Sequence, residues 1–139
     1  MTPQGKLATT APYGNVDRDF DLCKLVQAAG ATYVGRGTAY HTFILIDLIA
    51  KAIQHKGFSF VEAISQCPTY YGRRNKVGDA VAMMNWQKEV AVNVKQAEKL
   101  SPEELKDKLV IGELYKAEAP EYTEAYQRVI EKAQKRGAE

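Results

Sequence analysis

The chain has 139 residues, 45% of them apolar and 26% charged, with a formal net charge of +2 and two cysteines. That length holds one modest core and not two, and the composition is that of a soluble globular protein. No apolar run is long enough to span a bilayer, two cysteines make no disulfide framework, and so small a charge is no argument for nucleic acid by itself. The N-terminal "MTPQGKLATTAPYGN" lacks the charged and then apolar succession of a secretion signal, so a cytoplasmic setting is expected.

Residues 1–16 are rich in Thr, Pro and Gly without apolar periodicity and read as an irregular segment; residues 17–139 read as an α/β core with C-terminal helices. Asp17, Asp19 and Asp21 favour a helix start, and Leu22, Leu25, Val26 and Ala29 recur at helical spacing before Gly30. "ATYVGRG" then carries a strand signal. A second helix is expected over Tyr40 to Lys56, with Gly57 in the place of a left-handed cap. "FSFVEAIS" reads as a largely buried strand, completing a strand-helix-strand crossover of about 35 residues, which is parallel and right-handed in nearly all cases.

After the loop "CPTYYGRRNKVGD", with Asp79 as its N-cap, one long helix is expected from Ala80 to about Lys99. Ser101, Pro102 and Glu104 have the spacing of a capping box opening a short helix. "LVIGELY" is a last strand and Tyr122 to Arg136 a last helix, ended by Gly137. The sum is a three-layer α/β arrangement with a mostly parallel sheet.

Ligands of parallel sheets gather beyond the carboxyl ends of strands. Cys67, three residues past Ile64, stands at such an end. From spacing alone it is either a half-buried thiol closing a strand ahead of Pro68 or a ligand. An iron-sulfur cluster needs three further thiolates, and Cys23 lies far off in a helix beside Leu22 and Val26, where core packing is expected. Arg73, Arg74 and Lys76 beside Tyr70 and Tyr71 form a basic, aromatic loop, which is either a solvated or subunit-facing surface or a platform for single-stranded nucleic acid. His41 and His55 fall at opposite ends of one helix, too far apart to chelate together; His55 is placed to complement the helix dipole. Met83 and Met84 read as helix packing.

Taken together, "TPQGKLATTAPYGN", "FDLCKLVQAAGATYVGRG", "FSFVEAISQCPTYYGRRNK" and "VIGELY" resemble the C-terminal half of the beta subunit of 2-oxoacid:ferredoxin oxidoreductases, above all the 2-oxoglutarate branch. The resemblance covers essentially the whole chain. It implies the C-terminal part of a fold that binds thiamine diphosphate with Mg2+ and one 4Fe-4S cluster. The complex it implies decarboxylates a 2-oxoacid oxidatively with coenzyme A and passes electrons to ferredoxin, with alpha and other subunits as partners. The cysteine of the family's "CPTY" motif is one of four cluster ligands, so Cys67 resembles that ligand. The other three are expected in a region with a "CPGCG"-like motif, absent from these residues, as are the Gly-Asp-Gly and Asn elements that hold magnesium and the diphosphate. Lys6, Thr9 and Thr10, with Tyr13, come where the family's diphosphate loop ends, and their polarity suits contact with a cofactor or a substrate carboxylate. Two functional expectations result: part of a 2-oxoglutarate:ferredoxin oxidoreductase, inactive alone, or a non-catalytic assembly half-subunit. An unpaired sheet edge would make the isolated chain self-associate.

Overall fold

The structure is a computed structural model that describes residues 2–136. In chain order the elements are α1 (Leu22–Ala28), β1 (Tyr33–Thr38), α2 (Thr42–Gln54) and β2 (Ser59–Ile64), followed by a π-helical turn over Pro68–Gly72. Then come α3 (Arg73–Asn75), α4 (Ala80–Val90), β3 (Ala91–Asn93), α5 (Val94–Ala97), α6 (Pro102–Leu105), β4 (Leu109–Lys116) and α7 (Tyr122–Arg136). The expected end of the last helix at Gly137 lies outside the described residues.

β1 is the centre of the molecule, with every residue but Arg36 buried. Its two glycines explain why. Alternate residues of a strand face opposite sides of the sheet. A Cβ at Gly35 would stand 3.1 Å from Leu48 Cδ2, and one at Gly37 would stand 3.1 Å from Leu45 Cδ1. Their absence lets α2 lie directly on that face. On the other face Val34 packs with Cys23 of α1 and Ala31. The result is the expected three layers, helix on sheet on helix. Fully buried Leu48 and Ile111 contribute about 1.5–3 kcal/mol each as apolar side chains removed from water.

The sheet order is β2-β1-β4-β3. β1 and β2 pair in parallel from Tyr33↔Ser59 to Thr38↔Ile64, as the crossover required. β3 and β4 are also parallel, whereas β4 runs antiparallel to β1, with a register shift between Val34 and Gly35. The sheet is thus mostly parallel, with its one antiparallel pairing at the centre.

Of the three aspartates that favour the first helix, Asp21 is the one that starts it: its carboxylate caps α1 by accepting from the Lys24 N–H. Two local expectations are corrected. Gly57 is not the cap of α2: the helix ends at Gln54 with His55 extended. Gly57 has φ +132°, and a Cβ there would stand 2.6 Å from Thr32 Oγ1, so it serves a close approach. The long helix expected over 80–99 is broken by β3. Val90, Val92 and Val94 recur at spacing two, the β-branched residues favour extended backbone, and pairing of Ala91 to Asn93 with Leu109 to Ile111 overrides helical propensity. The helix signals around it hold: Asp79 caps α4 by accepting from Ala82 N–H at 2.8 Å, and Ser101 and Glu104 form the capping box of α6.

On the α1 face lies an ionic cluster. Arg36 donates to Glu62 Oε2 at 2.6 Å and to Asp21 Oδ1 at 2.7 Å, and Cys23 Sγ lies 3.4 Å from the same Glu62 oxygen. Burial, chiefly, pushes the Cys23 thiol up to about 12, helped by the Glu62 and Asp21 charges and opposed by Arg36. Burial also raises Asp21, but Arg36 and the Lys24 N–H outweigh it and hold that carboxyl below its ordinary value.

Candidate functional site

β2 delivers the chain to the carboxyl end of the sheet, and Pro68 stops extension. There the backbone winds into a π-helical turn: Gly72 N–H donates to the Cys67 carbonyl at 2.9 Å, and Arg73 N–H to that of Pro68. Such turns are rare and recur at functional sites. Gly72 is buried against α4, where a Cβ would stand 3.0 Å from Met83 Sδ and 3.2 Å from the Gly78 carbonyl, so the turn is pressed onto that helix. Lys76, at φ +52°, closes the loop in the left-handed region.

The turn places the sulfur beside its own backbone amides, and this shows in the thiol's acidity. The Tyr71 and Tyr70 backbone N–H groups, in that order, and the Thr69 hydroxyl hold the Cys67 thiol below its ordinary pKa; slight desolvation opposes them. Cys67 is exposed, not half-buried, so the reading as a thiol sealed at a strand end does not hold. An exposed sulfur biased toward thiolate and faced by amides is suited to ligate a soft metal or iron. It is one ligand only. Among the described residues no group of three or more His, Cys, Asp or Glu is placed to hold a metal ion.

Sequence reasoning missed the residue that ties this loop to the N-terminal segment. Asn75 Oδ1 accepts from Leu7 N–H at 2.8 Å, while its Nδ2 donates to the Leu7 and Tyr71 carbonyls, both at 3.0 Å. A side-chain amide offers an acceptor oxygen and two N–H donors on one planar group, which matches a backbone N–H and carbonyl together. The signal available was an Asn next to a turn, too common to single out. The tie holds a hairpin-like segment in which Gly5 N–H bonds Asn15 carbonyl, Asn15 N–H bonds Lys6 carbonyl, and Ala8 and Ala11 bond each other.

The candidate cofactor residues of that segment separate. Lys6 lines a cavity of about 160 Å³ with Tyr71, Val77, Met83 and Trp86, beside the Cys67 loop. Thr9 and Thr10 are exposed near the hairpin tip, and Tyr13 is fully exposed. Tyr71 turns inward to that cavity, leaving Tyr70 as the exposed ring beside Arg73, Arg74 and Lys76. His41 precedes α2 with Nδ1 2.8 Å from Thr38 Oγ1, and His55 comes after it with Nε2 2.7 Å from Thr32 Oγ1. No helix among the described residues is long and apolar enough to cross a membrane.

No family model matches the chain. It is 49% identical over 131 residues to the 2-oxoglutarate synthase subunit KorB of Methanocaldococcus jannaschii, an alignment covering 94% of this chain and 48% of that one. The same subunit of Methanothermobacter marburgensis is 48% identical, over 94% of this chain and 46% of that one. Among solved structures, the 2-oxoglutarate:ferredoxin oxidoreductase from Magnetococcus marinus, with 2-oxoglutarate, coenzyme A and succinyl-CoA bound, superposes with a TM-score of 0.75 at 22% identity. It covers 96% of this chain and 46% of that one; this likeness carries the fold. The chain spans about half the length of the curated relatives it matches. Along nearly all of that half it is a partial-length relative of subunits of 2-oxoglutarate synthases and of the beta subunits of 2-oxoacid:ferredoxin oxidoreductases.

Proposed function

We propose that this chain is part of the beta subunit of a 2-oxoglutarate:ferredoxin oxidoreductase, and that Cys67 supplies one of the four thiolates of its 4Fe-4S cluster. The observation that carries the proposal is the exposed Cys67 sulfur at the end of β2, faced by the Tyr71 and Tyr70 amides and held below its ordinary pKa. Hydrogen bonds to a ligating sulfur stabilise its charge and raise the reduction potential of the group it holds. When bound, such a cluster accepts and releases single electrons. This chain's part is to fix the position of one ligand through the Pro68–Gly72 turn and to set its charge through those amides.

The assignment carries with it coenzyme A, 2-oxoglutarate, ferredoxin and an alpha subunit as substrates and partners of the complete complex. Thiamine diphosphate and its Mg2+ find no matching group in this chain: no acidic cluster for the metal occurs among the described residues, and of the three polar candidates only Lys6 lines a cavity. Lys6, lining the cavity beside the Cys67 loop, would meet a carboxylate or phosphate bound there.

Anaerobic reconstitution tests the proposal. The chain is combined with the part of the M. jannaschii subunit that lies outside the matched region, and iron and sulfide are assayed alongside Cys67→Ser. A cluster in the mixture that is lost in the variant is expected. An equal cluster in the variant removes Cys67 from the ligand set, and no cluster in a well-associated mixture favours the non-catalytic assembly module.

A further inference from the structure

The loop that follows Cys67 carries a larger net charge than the whole chain. Between Ser65 and Gly78 stand Arg73, Arg74 and Lys76 and no acidic residue, whereas the formal net charge of all 139 residues is +2. The three cations are exposed, and none forms an ion pair with a carboxylate among the described residues. Lys24, Arg36, Lys51 and Lys56, by contrast, each stand against an acid. The next acid along the chain, Asp79, is turned to the Ala82 N–H as the cap of α4.

The backbone beneath these cations is held in place. Arg73 N–H donates to the Pro68 and Tyr70 carbonyls, Val77 N–H to the Gly72 carbonyl, and Asn75 ties the loop to Leu7. Three charges on a fixed backbone dock with less loss of conformational entropy than the same charges on a free loop.

The surroundings choose the partner's chemistry. The cavity beside the loop is lined by Lys6, Tyr71, Val77, Met83 and Trp86 and by none of the three cations, so their charge is offered to an open surface and not to an enclosed small ligand. An open cationic surface steers an acidic macromolecule toward it. Single-stranded nucleic acid needs successive aromatic rings for its bases. Here Tyr71 turns inward, and Tyr70, 65% exposed, is the one ring of the loop left free. One exposed tyrosine among arginines is instead the make-up of a small protein interface, since Tyr and Arg are the residues on which such contacts are anchored. Cys67 begins the same loop, so a protein bound there comes against the metal group that Cys67 would hold.

We propose that Tyr70, Arg73, Arg74 and Lys76 form the docking surface for an acidic one-electron carrier protein, with the Tyr70 ring as its apolar anchor. In each encounter the reduced cluster at Cys67 gives up one electron and is oxidised, the carrier's redox group takes that electron and is reduced, and no bond or proton moves. Interfaces of electron-transfer encounters are small, under about 1200 Å², and release quickly, which suits repeated single-electron visits. The electron step rests on the cluster reading of Cys67; the docking itself rests on the three unpaired cations and the exposed ring.

The test titrates an acidic ferredoxin into the full chain and follows backbone amide shifts by NMR. At low salt the shifts gather at Tyr70, Arg73, Arg74 and Lys76, and the affinity falls about tenfold at ~0.5 M salt. Arg73→Glu with Arg74→Glu lowers it about tenfold at low salt; Arg73→Gln with Arg74→Gln, expected to lower it about threefold, replaces that pair if it does not fold. In the mixture with the unmatched part of the M. jannaschii subunit, after chemical reduction of the cluster, the Glu pair should slow electron transfer to ferredoxin about tenfold. Transfer to a small neutral quinone and the iron and sulfide content should stay unchanged. Binding that ignores salt or shifts that gather elsewhere on the chain overturn the proposal, as does a Glu pair that binds and reduces ferredoxin like the parent. A single-stranded oligonucleotide held more tightly than ferredoxin at the same salt gives the loop to nucleic acid and also overturns it. Salt-dependent docking at the loop with no cluster in the mixture upholds the surface while removing Cys67 from its ligand role.

Discussion

Cys23 and Cys67 carry the same side chain at the two ends of β2's neighbourhood, and their surroundings treat it in opposite ways. Cys23 is 4% exposed in α1, its Sγ against a carboxylate oxygen of Glu62, and burial pushes it up to about 12. Cys67 is exposed, and backbone amides of a π turn pull it down. In the first case burial, helped by the Glu62 carboxylate, disfavours the thiolate; in the second the surrounding backbone donors favour it. A cysteine's role is therefore set by how deeply the sulfur is buried and by whether donors or acceptors face it, which composition cannot express.

The sharpest way to break this comparison is thiol labelling of the native chain. With a pKa of about 12, Cys23 is thiolate to about one part in 10⁵ at pH 7. Iodoacetamide should modify Cys67 at least ~10³ times faster than Cys23, read by peptide mass analysis. Comparable rates would show that the two environments are not distinct. Next in size is Arg36→Ala. It leaves Glu62 and Asp21 without their cation; for carboxylates this exposed the cost falls between that of a surface pair and that of a buried one, about 1–3 kcal/mol. A matching drop in the urea midpoint is expected, with Cys67 labelling in the still-folded fraction unchanged; a loss below 1 kcal/mol would mean the cluster is solvated.

Cys23 also gives a pH signature. Its folded pKa is raised above the unfolded value of about 8.5, so between these values the folded chain holds a proton the unfolded chain has lost. Stability is then fully present below about pH 8.5 and falls as pH rises, by about 2 kcal/mol at pH 10. Cys23→Ala should flatten that slope. An equal slope in the variant would assign it to other groups.

The three layers, the parallel β1-α2-β2 unit and the position of Cys67 were legible because each rests on local pattern: periodicity, glycine placement and a strand end. β3 was not, since its extended state depends on pairing with β4, some eighteen residues on. The amides that face Cys67 come from a turn type that no short motif specifies. Asn75 was invisible for another reason: its partners, the Leu7 N–H and carbonyl, lie 68 residues away. The edge position of β2 was not legible either, because its sequence reads as a buried strand.

The smallest effect asks what maintains the Cys67 environment. Asn75→Ala removes three hydrogen bonds of a half-buried amide and leaves the Leu7 N–H and carbonyl without their partner; a cost of about 1–2 kcal/mol is expected. The Leu7 amide should then exchange as fast as the hairpin tip. The π turn keeps separate anchors: the Gly72 N–H to the Cys67 carbonyl, and Gly72 pressed against Met83 and the Gly78 carbonyl. If the turn alone aims the Tyr70 and Tyr71 amides, the Cys67 labelling rate stays within about threefold of the parent. A tenfold fall would instead make the N-terminal hairpin a support of the thiolate, extending the site from one loop to the contact between two.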